Sequence, residues 1–262
     1  YQGNPNLLRD DRLRRWHEMM NSSPEEGVQA AGEMISAGSQ GELPEAIFDP
    51  TITRTVWNNY TKTAEQYNDP GRFTAVIGYE WTSLIEGNNL HRVLMFRGDK
   101  NDADQVVPFT FADSPDPEDL WDFMAGYEEK TGDSVLAIPH NGNLSNGMMF
   151  MPRTIDGKRF DADYVSRRAR WEPVYEITQI KGDGETHPLL SPNDEFADYE
   201  TWDKGNLDLS EAKKDDMLQY EYAREALKSG LALEERLGTN PFKLGVVGST
   251  DSHTSLVTAA EE

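Results

Sequence analysis

Short apolar runs that each meet a histidine or a carboxylate at one end constrain this chain most. Residues 73–80 read as a buried strand ending in Glu80, and residues 91–96 as a second strand beginning at His91. Residues 134–139 form a third, followed directly by His140, and residues 174–178 a fourth. Residues 244–249 form the last and lead into Thr250, Asp251, Ser252 and His253. Helical patterns lie between and before them, at 7–20, 52–66, 161–170 and 214–237. Two further helices announce their starts. Ser23-Pro24-Glu25-Glu26 is an N-cap with proline at the first helical position, opening a helix to about residue 37. Asp116-Pro117-Glu118-Asp119 opens another through about residue 129. Apolar strands separated by helices predict one α/β domain with a mostly parallel sheet or barrel. Neither a repeat nor a linker interrupts residues 1–262.

In barrels and open α/β sheets, functional groups collect at strand ends. Here the strand ends carry only imidazoles and carboxylates. The chain has no cysteine and five histidines, at 17, 91, 140, 187 and 253. Disulfides, thiolate nucleophiles, iron–sulfur clusters and cysteine-type zinc sites are therefore excluded. A metal centre built from Glu80, His91, His140, Asp251 and His253 is expected instead, with donors that suit zinc, manganese or iron. His17 lies mid-helix and reads as structural. His187 lies in a long polar loop, residues 181–205, of the kind that walls a site, and reads as a candidate substrate contact. The chain contains no nucleophile elbow and no P-loop.

The formal net charge is −22. Such a surface repels nucleic acid and anionic membranes, and no apolar run approaches the ~20 residues of a membrane span. An anionic small molecule could still be held by a local basic pocket. Arg92, Lys181 and Asn143 are the nearest candidates for holding it. Absence of cysteine suits cytoplasm and periplasm equally.

At four stretches a family likeness becomes specific. Gly78-Tyr79-Glu80-Trp81, Asn88-Asn89-Leu90-His91-Arg92, Ile138-Pro139-His140-Asn141-Gly142-Asn143 and Gly248-Ser249-Thr250-Asp251-Ser252-His253 resemble the later metal motifs of the PHP (polymerase and histidinol phosphatase) superfamily. The stretch from Thr178 through Lys181 and His187 to Pro188 resembles more closely a bacterial PHP-like family, the domain of unknown function number 3604. The resemblance implies a distorted (β/α)7 barrel, TIM-barrel-like, with two or three divalent metal ions. It makes Glu80 the bridge between two metals, joined on one of them by His91 and His140. Asp251 would bind the metal shared with Glu80, and His253 a further one. Glu80 and Asp251 are thereby the candidate catalytic residues. The superfamily's opening His-x-His and later Asp-His motifs have no counterpart here, and no histidine precedes His17. The chain also opens without an initiator methionine. Together these predict a fragment whose barrel is incomplete on its N-terminal side. Open strand edges would then invite a second copy, giving a homo-oligomer.

The implied activity is metal-dependent hydrolysis of an anionic small molecule, a phosphate ester first of all. Two alternatives stand beside it: a metal-binding module without turnover, and a hydrolase for non-phosphate esters on the same scaffold.

Overall fold

The computed structural model describes residues 3–253. The chain begins with three helices, α1 (Asp11–Met20), α2 (Pro24–Ser39) and α3 (Pro50–Tyr67). Each has an oxygen-bearing cap. Asp10 accepts from the amides of Arg12 and Leu13, Ser23 from Glu26, and Asp49 from Thr51 and Ile52. These bonds satisfy amides that the first helical turn leaves without a partner. Trp16, Ala30 and Ala37 form a small core of their own between α1 and α2.

Four strands follow, β1 (Gly78–Trp81), β2 (Leu84–Ile85), β3 (Asn88–Asn89) and β4 (Arg92–Phe96). After the short α4 (Lys100–Ala103) and α5 (Pro117–Thr131) comes β5 (Val135–Pro139). The remaining elements are α6 (Ala162–Trp171), β6 (Val174–Gln179), β7 (Gly182–Asp183), α7 (Ala223–Leu237) and β8 (Gly245–Gly248). One sheet runs β1-β4-β5, and a second runs β7-β6-β8. Strands β4 and β5 alternate buried and half-buried positions, as a period of two requires. Their inner positions join Trp57, Trp81, Trp121, Phe150, Tyr175 and Phe242 in the main core. No helix among the described residues is long and apolar enough to cross a membrane.

The sheets correct the expected (β/α)7 barrel. Among the described residues no barrel closes, and the sheets are small and mostly antiparallel. Strand β4 runs antiparallel to both β1 and β5, and only β6 and β8 pair in parallel. The short β2–β3 hairpin fills the path from β1 to β4, leaving no length for the crossover helix that a parallel neighbour needs. Two boundaries also move. The strand expected over 73–80 is confined to Gly78–Trp81, and Phe73 instead closes a turn by bridging to Asp69. The helix expected from residue 214 begins at Ala223, preceded by a 3-10 turn at Leu218–Tyr220.

Two buried charge clusters tie these layers together. In the first, Glu172, at the end of α6, receives Arg92 Nε (3.0 Å), Arg168 Nε (3.1 Å) and the indole N–H of Trp121 (3.0 Å). Both arginines and the glutamate are almost completely buried. In the second, Glu221 pairs with Lys213, whose ammonium also donates to the Asn143 carbonyl at 2.8 Å. The Glu221 carboxylate takes the amide of Gly147 as well, at 2.9 Å. Burial pushes the Glu221 carboxyl up to about 7, against the pull of Lys213.

Removing the carboxylate from the first cluster strands two buried guanidinium groups. Glu172→Ala is therefore expected to lower the unfolding free energy by about 3–5 kcal/mol, read from urea denaturation. The second cluster predicts a pH dependence. Between the ordinary carboxyl value of 4.5 and about 7 the folded protein holds a proton on Glu221 that the unfolded chain releases. That contribution to stability is complete below this window and disappears as pH rises through it. Glu221→Gln should flatten the fall in melting temperature between these two pH values, measured by calorimetry against the wild type.

Candidate metal centre

The antiparallel pairing assembles the site. Because β4 runs against both neighbours, its beginning lies beside the ends of β1 and β5. In register, Trp81 faces Arg92, and Arg92 faces Pro139. Glu80 near the end of β1, His91 just before β4 and His140 just after β5 are thus drawn to one edge. The amide of His140 donates to the carbonyl of His91 at 3.4 Å. Local turns aim the rings. Asn89 Oδ1 accepts the amide of His91 at 2.9 Å. Asn141 takes a left-handed conformation with φ of 51°, turning the chain sharply after His140.

Glu80 Oε1 lies 2.9 Å from His91 Nδ1 and 2.9 Å from His140 Nε2. The two rings meet edge to face, with centroids 5.7 Å apart. Both imidazoles are buried, while the Glu80 side chain keeps 25% exposure and forms the mouth of the site. The outer nitrogens, His91 Nε2 and His140 Nδ1, are buried without a hydrogen-bond partner. Burial drives the His91 pKa down and so favours its neutral form. Burial acts to raise that of Glu80, yet hydrogen bonds from His140 and His91 outweigh it and hold the carboxyl well below the usual range.

A second group shares Glu80. Glu80, Asp251 and His253 each offer a donor atom within 4.8 Å of the others. His253 Nε2 stands 4.0 Å from Glu80 Oε2, and its Nδ1 is 2.9 Å from the Asp251 carbonyl. Asp251 itself has φ of 49°. Its Oδ2 is already engaged by Gln179 Nε2 at 2.7 Å and by the ammonium of Lys181.

The donors of the first group fit a divalent transition metal. They are one ionised carboxylate and two imidazoles, His91 among them favoured neutral, the forms that bind such ions. Atoms bound to one ion at roughly 2.0–2.2 Å stand about 3–3.6 Å apart, and the three donor atoms here lie within 4.8 Å of one another. Two imidazoles crowded on one carboxylate oxygen give a constellation that a cation would complete.

The structure therefore brings together Glu80, His91, His140, Asp251, His253 and Lys181. It keeps three other candidates apart. Arg92 points its guanidinium to Glu172 and to the Leu90 carbonyl, because the pleat turns it away from His91. Asn143 spends its amide on the carbonyls of Lys181 (3.0 Å) and Trp202 (3.1 Å). His187 uses both nitrogens within the long loop, with Asp203 Oδ2 at 3.1 Å and the Leu189 amide at 3.2 Å. His17 stays on α1, where Asn21 is its neighbour. Gln179 was not singled out from sequence. Its Nε2 bridges Asn141 Oδ1 (2.6 Å) and Asp251 Oδ2 (2.7 Å), and its Oε1 accepts the Lys181 amide at 2.6 Å. Its place at the end of β6, beside the stretch from Thr178 to Pro188, was the available signal.

Neither a curated protein nor a solved structure matches this chain. One family model does, and it matches residues 1–262. With the match running through every strand end that carries a ligand candidate, the chain belongs to the family described as "Protein of unknown function (DUF3604)".

Proposed function

We propose that the chain is a metal-dependent hydrolase of the phosphoesterase type, with Glu80, His91 and His140 holding a divalent zinc, manganese or iron ion. The observation that carries this reading is the convergence of three donor atoms from three separate strand ends, two of them on buried imidazoles. The order Glu80, His91, His140, Asp251-x-His253 supports it through its likeness to the PHP superfamily.

A bound divalent ion would supply Lewis acidity and lower the pKa of a coordinated water to about 7. The chain's own residues provide the setting. His91 and His140 form the dry floor, and Glu80 supplies the negative charge that offsets a cation. His253 is the most exposed of the set, with its Nε2 4.0 Å from Glu80 Oε2 at the mouth of the site. An anionic small molecule would enter past Glu80 and His253, where the site opens. A surface of charge −22 opposes nucleic acid and anionic membranes, and an anionic small molecule would be held by the local positive charge of the centre.

A second reading, a metal-binding module without turnover, has one observation in its favour. Arg92, Asn143, Lys181 and His187, the side chains expected to grip substrate, are all committed to internal bonds.

Two measurements test these readings. Elemental analysis after loading should find metal on the wild type, and His140→Ala should weaken its affinity by more than about 100-fold. A metal content unchanged by that substitution removes His140 from the ligand set. The wild type, assayed with Mn²⁺ or Zn²⁺ on phosphomonoesters, phosphodiesters and sulfate esters, should hydrolyse the phosphate esters. Metal bound with no turnover on any of them selects the second reading. Ion binding should also raise stability by about 2.7 kcal/mol at a hundred times the dissociation constant, seen as a higher melting temperature that chelator reverses.

A further inference from the structure

We infer that Lys181 is a built-in cation standing in for a second metal ion, so that this centre takes one divalent ion beside one ammonium group. The inference rests on the metal reading above and adds the number of ions and the residue that sets it.

Lys181 is held in position by its backbone. Its amide donates to Gln179 Oε1 at 2.6 Å, and its carbonyl accepts Asn143 Nδ2 at 3.0 Å. The turn between β6 and β7 is thereby fixed, and the side chain reaches Asp251. The pair is shielded, with side-chain exposures of 23% for Lys181 and 15% for Asp251. The carboxylates of Glu80 and Glu176 also act on this ammonium, and its charge in turn acts on His91. Glu176 has a partner of its own in the Ser249 hydroxyl.

Asp251 Oδ2 is consequently spent as a ligand. It takes two donors, Gln179 and Lys181, and its negative charge is already matched. A second divalent ion shared by Glu80, Asp251 and His253 would have to displace Lys181 and leave an ammonium beside a dication. Like charges in contact in a partly buried setting repel strongly, because little solvent lies between them to screen the interaction. In the first group no ammonium is paired with the ligand oxygen: among the described residues Glu80 Oε1 is paired with the two imidazoles.

The test is metal stoichiometry by equilibrium dialysis and elemental mass spectrometry, with Mn²⁺ as the probe. The wild type should hold a single tightly bound ion per chain, with the electron paramagnetic resonance signal of an isolated Mn²⁺. Lys181→Arg keeps the charge and should do the same. Lys181→Gln and Lys181→Met remove the charge and should admit a second ion, with the signal changing to that of a coupled pair. Two ions on the wild type overturn the inference and leave the metal reading standing. So does a single ion on both charge-removing variants when their circular dichroism matches the wild type. No ion on the wild type overturns the metal reading itself, and this inference with it. The wild-type stoichiometry decides independently of whether any variant folds.

Discussion

The carboxylate of Glu172, enclosed by two guanidinium groups and an indole, is the interaction on which the rest depends. It joins the beginning of β4 to α5 through Trp121 and to α6 through Arg168. Its cost of desolvation is met only because every group around it is charged or donating. Arg92 immediately follows His91 in the chain, so the same bonds fix the strand end from which that imidazole projects. Packing on one face of β4 and ligand placement on the other are two outcomes of one anchored backbone.

From that anchor the electrostatics of the mouth follow. The floor is made of two buried imidazoles, that of His91 favoured neutral by its burial, and the carboxylate of Glu80 lies at the mouth. Lys181 lies against Asp251, leaving Glu80 as the carboxylate that an incoming cation meets. The −22 surface raises the local concentration of cations and opposes anions. An anionic substrate would therefore approach more readily once the centre is charged with metal, which gives the order of events a physical basis.

Much of this was legible in the residues. Ser23-Pro24, Asp116-Pro117 and Asp161 do begin α2, α5 and α6, because an oxygen-bearing cap before proline or an acidic turn has few other uses. The strands at 134–139 and 174–178 are legible because short runs rich in β-branched, aromatic and apolar residues, too short for a helix, suit a buried strand. Strand direction was not legible: an apolar run has the same composition whether its neighbour runs with it or against it. The barrel expectation failed on that point, since the β2–β3 hairpin returns the chain at once. The ligand candidates did come together, because strand ends gather at a sheet edge under either pairing. Arg92 shows the converse. Adjacency to His91 suggested a shared role, but successive side chains on a strand face opposite ways, and only the position of Glu172 reveals where the guanidinium goes.

The turn that follows His140 has one more consequence. The loop contains two Asn-Gly steps, Asn141-Gly142 and Asn146-Gly147, the dipeptide at which proteins age most readily. Ageing there begins when the glycine nitrogen attacks the asparagine side-chain carbonyl and closes a succinimide. In this loop both glycine nitrogens are occupied, Gly142 by the Tyr175 hydroxyl at 3.0 Å and Gly147 by Glu221 at 2.9 Å. Both asparagine amides are tethered too, Asn141 to Gln179 and Asn146 to the Glu211 carbonyl. The bonds that hold this loop thus also protect it from deamidation, so its chemical lifetime is tied to the integrity of its fold.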